Sequence, residues 1–130
     1  MLLFGCGRIT LPAPASLAGE WTVEFSLNNA TAQGTLTLSD SSAGYFQSNL
    51  QIDFVPLLGH PMSCFDPRPT RTAVSRSADV VSLSFTPGVA DCGFSASGAL
   101  RGDSLIGTWN EESFAGPVAT GRFRMVRTRP

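Results

Sequence analysis
Three groups of residues in this 130-residue chain could carry chemistry. Ser104, within Gly102-Asp103-Ser104-Leu105, is a candidate nucleophile. Arg101-Gly102-Asp103 overlaps it and spells an adhesion tripeptide. Cys6, Cys64 and Cys92 can carry lipid or pair with one another. A serine hydroxyl attacks only when a base removes its proton, yet the single histidine, His60, lies upstream and none follows Ser104. His60 also lacks a second histidine or a carboxylate cluster beside it, so it reads as a loop residue rather than a metal ligand. Glu111 and Glu112 are adjacent; on a strand they point to opposite faces, and they read as the start of a solvated loop, not as an acid pair. The cysteine spacing fits no zinc pattern. No cofactor or metal site emerges.

The elements that must position these residues are strands. From Glu20 onward the apolar residues recur with a period of two, and turn residues interrupt them at short intervals. Trp21, Val23, Phe25 and Leu27 mark the first strand, and Leu36 and Leu38 the second. Phe46, Leu50, Ile52 and Phe54 line the third, and residues 70–76 form a weaker fourth. Val81, Leu83 and Phe85 mark the fifth; Phe94, Ala96, Gly98 and Leu100 the sixth. Leu105, Gly107 and Trp109 mark the seventh, and Phe123 and Met125 the eighth. Eight short strands joined by hairpins form an antiparallel meander. Closing it removes exposed edges, so the sequence predicts an all-β fold, an eight-stranded antiparallel up-and-down β-barrel; a β-sandwich is the alternative. Charged residues make up 15% of the chain, against about 25% in typical domains, and 26 Ser and Thr residues supply the missing polarity. The net charge of −1 gives no general field for nucleic acid. All nine cationic residues are Arg, which reads as the codon bias of a GC-rich genome.

This layout decides the overlapping motifs. Arg101-Gly102-Asp103 falls between two alternating strands, where a glycine supplies the backbone angle of a tight hairpin. A hydrolase of the Gly-Asp-Ser-Leu type carries its serine early, on a strand-to-helix turn, with an Asp-x-x-His box downstream. Here the serine comes late and enters a strand. The motif is a turn, and the chain is read as non-enzymatic. The adhesion tripeptide is short enough to arise by chance.

Cys6 follows Leu2-Leu3-Phe4-Gly5 and precedes Gly7. This resembles the lipobox of bacterial lipoproteins, in which the cysteine is lipidated and begins the mature chain. Phe4 is bulkier than the pattern usually allows, and five residues before Cys6 are fewer than a signal peptide needs. Residues 1–6 therefore read as the remnant of a lipoprotein signal, residues 7–18 as a Pro/Ala tether, and residues 19–128 as one barrel domain. With Cys6 lipidated, Cys64 and Cys92 remain as a pair that an exported domain would oxidise. The expected address is the bacterial cell envelope, with the domain in the periplasm or outside the cell.

Gly19-Glu20-Trp21 at the head of the first strand, with Arg127 near the end of the last, resembles the calycin superfamily, which includes lipocalins and avidins. That resemblance implies a barrel closed at one end, with the Arg127 guanidinium across the Trp21 ring, a cation–π contact of about 0.5–2 kcal/mol. Gly-x-Trp recurs as Gly107-Thr108-Trp109, and the further lipocalin motifs are absent.

Strand direction assigns each connection to an end. Turns 39–44, 77–79 and 101–103 lie at the end where the chain arrives, the near end; connections 28–31, 55–69, 87–91 and 111–117 lie at the far end. Cys64 and Cys92 share that far end, where a disulfide would contribute about 2–4 kcal/mol. Residues 55–69 form an apolar, Pro-rich flap, either a lid over a ligand mouth or a plug in the core. The expected ligand-binding set is Phe54, Leu57, Leu58, Met62, Phe65 and Phe85. The functional expectation is a lipid-anchored barrel that takes a small apolar ligand at the far end. Its rival is an interaction or inhibitor module acting through the far-end loops on a protein partner the sequence does not name.

Overall fold
Alternation becomes strand wherever the sequence sustains it. A computed structural model describes residues 17–39, 45–59, 72–85, 92–113 and 116–129. They form β1 (Gly19–Leu27), β2 (Ala30–Ser39), β3 (Tyr45–Ile52), a single helical turn α1 (Val55–Leu58), and β4 (Thr72–Ser77). β5 (Val80–Ser84), β6 (Cys92–Arg101), β7 (Ser104–Ser113) and β8 (Gly116–Arg129) follow. Each strand pairs antiparallel with the next, and β8 returns to pair with β1, so the sheet is a closed eight-stranded up-and-down barrel. The Cys64–Cys92 disulfide, the Cys6 lipid site, His60, Met62 and Phe65 fall outside the described residues, except that Cys92 begins the backbone of β6.

Three hairpins are turned by two residues each, at 28–29, 78–79 and 102–103. Their first residues, Asn28, Ala78 and Gly102, have φ of 55°, 54° and 61°. A positive angle there matches the twist of the flanking strands. Glycine also permits closure. Gly98 and Gly107 face each other across β6 and β7, and a Cβ on either would collide with a neighbouring carbonyl, of Ile106 or Ser97. The two strands bend into each other where those side chains are missing.

The inward phase fills the barrel in two zones. Toward the near end lie Trp21, Leu36, Leu38, Leu100, Leu105 and Met125, all buried. Toward the far end lie six aromatic side chains: Phe25, Phe54, Phe85, Phe94, Trp109 and Phe123. The Phe25 ring is central, with centroids 4.9 Å from Phe123, 5.3 Å from Phe94 and 5.4 Å from Phe54. One polar pair shares this interior. Thr72, fully buried, donates from Oγ1 to Ser48 Oγ at 2.9 Å, linking β4 to β3.

Three boundaries differ from the sequence reading. β3 stops at Ile52, two residues before Phe54. Asp53 Oδ1 accepts the Val55 amide at 3.0 Å, and Pro56 falls in the first turn of α1. Both features bend the chain out of the ladder. β7 runs on through Glu111 and Glu112 to Ser113, where a loop was expected, because the inward phase of Leu105 and Trp109 continues through Glu111. Leu17 and Ala18, read as the end of the tether, belong to the barrel: Leu17 is buried in its core.

Candidate functional site
The near end is closed by side chains that the last strand and the first bring together. β1 and β8 pair Trp21 with Arg127. The Arg127 guanidinium carbon lies 4.4 Å from the centroid of the Trp21 ring, and the indole Nε1 donates to the Leu17 carbonyl at 2.9 Å. Arg127 also donates to the Ala18 carbonyl, and from Nε to Asp103 Oδ1 at 2.9 Å. Gly19 has φ of 134°, a backbone angle open to glycine. The Gly19-Glu20-Trp21 segment and Arg127 thus lie together at this end.

The overlapping motifs are part of the same closure. Gly102 and Asp103 form the two-residue turn. Arg101 reaches back to Asp79 at 2.7 Å, in the neighbouring β4–β5 turn, while Asp103 holds Arg127 on β8. The Arg and Asp of the tripeptide therefore each tie the hairpin to an adjacent strand pair. Ser104 opens β7 in register with Val126, and no histidine stands among the described residues.

The far end is where the sequence placed the ligand. Phe54 packs edge-on against Phe94, with centroids 5.1 Å apart, and is 5% exposed; Leu57 is 6% exposed. Leu58 is half-buried against the same cluster, and Phe85 is inside it. In this first turn of the flap Leu57 is buried in the core, while Val55 and Pro56 are exposed. Trp109, the second Gly-x-Trp tryptophan, lies in this zone and donates from Nε1 to the Ser26 carbonyl at 3.1 Å. Gly121 makes room for it, since a Cβ there would meet both the indole and the Ser26 carbonyl.

One polar residue stands out at this end. Glu111 is 7% exposed, and its Oε1 has no hydrogen-bond partner. Glu111 lies between Phe94 on β6 and Ala119 on β8, while Glu112 points outward and is exposed. Leaving such an oxygen unanswered costs about 1–3 kcal/mol. The sequence reading treated Glu111 as a loop residue. The signal that would have found it is phase: it is two residues from Trp109 and four from Gly107.

The outer wall carries two grooves. One of about 310 Å³ is lined by Glu24, Ser26, Ile106, Arg122 and Arg124 over the backbone of Gly107 and Phe123. A second of about 290 Å³ continues past Glu24 and Arg124 to Gln33 and Val126. Strand register explains the clustering: Ile106 faces Arg124, which faces Glu24, which faces Gln33, across β7, β8, β1 and β2. Glu24 is engaged by Gln33 Nε2 at 2.8 Å. Arg122 and Arg124 have no ion-pair partner among the described residues. Ile106 beside them is 58% exposed.

Among the described residues, no group of three His, Cys, Asp or Glu side chains could hold a metal ion, and no helix is long and apolar enough to cross a membrane. The chain matches no protein-family model, no curated protein and no solved structure.

Proposed function
We propose that this protein is a non-enzymatic, calycin-like barrel of the bacterial cell envelope, anchored by lipid on Cys6, that works as an interaction module. It binds on its outer wall and does not enclose an apolar ligand. The observation that carries this reading is the packing of the described far-end residues: Phe54 and Leu57 are buried in the aromatic cluster where an enclosed ligand would sit. The wall between β7 and β1 offers the opposite character, with two guanidinium groups and an exposed isoleucine around a groove. Its partner is an acidic protein segment with an apolar residue among its carboxylates. Arg122 and Arg124 supply charge without a competing internal partner, and Ile106 supplies the apolar contact. The groove lies on the side of the barrel, between the near-end turn and the middle of β8.

The test is fluorescence anisotropy with a labelled peptide of alternating Glu and Leu. Wild type should bind it saturably and more weakly as salt rises. Arg122→Gln/Arg124→Gln should lose about tenfold in affinity, two exposed ion pairs at up to about 1 kcal/mol each. Equal binding by the double variant, or none by wild type, overturns the reading.

A further inference from the structure
We propose that Glu111 anchors a separate site at the far end of the barrel, and that its ligand is a small organic cation of the primary-ammonium class. The starting point is a carboxyl group more than nine-tenths buried with one oxygen unanswered. An interior polar group of this kind persists in a folded protein when something else satisfies it. No described side chain brings the counter-charge. Arg101 and Arg127 lie at the near end, tied to Asp79 and Asp103. Arg76 lies on β4 two residues before its near-end turn. Arg122 and Arg124 point outward from the wall. A ligand that carries its own positive charge would supply what the described side chains do not.

The surroundings favour an ammonium group over a metal ion. Among the described residues no second or third ligating side chain accompanies Glu111. Instead it sits beside aromatic rings: Phe94 is its ladder partner on β6, and Trp109 precedes it by two residues on the same face of β7. Those two rings have centroids 5.7 Å apart, and Phe54 packs edge-on against Phe94. Carboxylate oxygen accepts N–H donors, and ring faces attract the same cation. This inference does not depend on the outer-wall reading, because it uses other residues and another ligand charge.

The experiment is a titration of the full chain with n-butylammonium chloride, followed by tryptophan fluorescence and by NMR of the Glu111 side-chain carboxyl carbon. Wild type should show saturable change in both signals, and 1-butanol, which lacks the charge, should produce neither. Glu111→Gln should weaken binding at least tenfold. Glu111→Leu should abolish binding while melting no lower than wild type, because it removes an unanswered polar atom from an apolar site. The NMR signal in wild type decides the matter even if a variant folds poorly. Absence of a saturable Glu111 shift, or unchanged affinity in Glu111→Gln, overturns the proposal, as does a fluorescence response equal for amine and alcohol.

Discussion

Replacing Arg127 by Ala tests how the barrel is closed. The Arg127 side chain is 12% exposed, and its guanidinium makes three kinds of contact. Its cation–π contact with Trp21 at 4.4 Å is worth about 0.5–2 kcal/mol. The hydrogen bond to the Ala18 carbonyl comes from a charged donor, a class worth about 1.5–3 kcal/mol. The ion pair with Asp103 adds at most about 1 kcal/mol, because the carboxylate side chain is 70% exposed and screened by solvent. These contributions share one side chain and do not add fully, so a loss of about 3 kcal/mol is expected. For a domain of this size that lowers Tm by roughly 10 °C. Arg122→Ala and Arg124→Ala, on exposed positions without ion pairs, should stay within about 0.5 kcal/mol of wild type. Urea denaturation of the three variants, followed by tryptophan fluorescence, makes the comparison. Equal midpoints for all three would refute the argument that Arg127 locks the ends of β1 and β8 together.

Two further outcomes follow from single residues. Ala78 turns the β4–β5 hairpin with φ of 54°, a conformation costly for a residue with a Cβ; Ala78→Gly should stabilise by about 0.5–1 kcal/mol, and a lower Tm would contradict this. Leu57, 6% exposed in α1, should cost about 2–4 kcal/mol when cut to Ala, and half-buried Leu58 clearly less. Equal, small losses in denaturant midpoint at both positions would show that this turn is a lid and not a plug.

The barrel was legible in the sequence because its signal is local and repeated. Inward residues such as Trp21, Val23 and Phe25 alternate with polar neighbours, and short turns fix their direction. The pairing of an arginine with Trp21 came from the calycin resemblance, and phase selected Arg127, which shares the inward parity of Phe123 and Met125. Phe54 was placed on a strand because it keeps the alternation. What ends the strand is the Asp53 side chain bonding to the Val55 amide, with Pro56 following, a local competition that hydrophobic pattern does not register. The outer-wall groove was hidden for another reason. Ile106, Arg122, Arg124 and Glu24 come from three strands and meet only through register. Glu111 was missed because a charged residue next to another one reads as loop, whereas strand phase carries it inward.

The central claim, that the acidic partner binds on the outer wall, is tested most directly by NMR shift mapping with dodecanoate. This probe has both an anionic head and an apolar chain, so it can choose either location. The account predicts saturable shifts at the amides of Glu24, Ile106, Arg122 and Arg124, with the methyl and ring signals of Phe25, Phe54, Leu57 and Phe94 unmoved. Saturable shifts of those interior signals at one probe per protein, or no shifts on the outer wall, would contradict it.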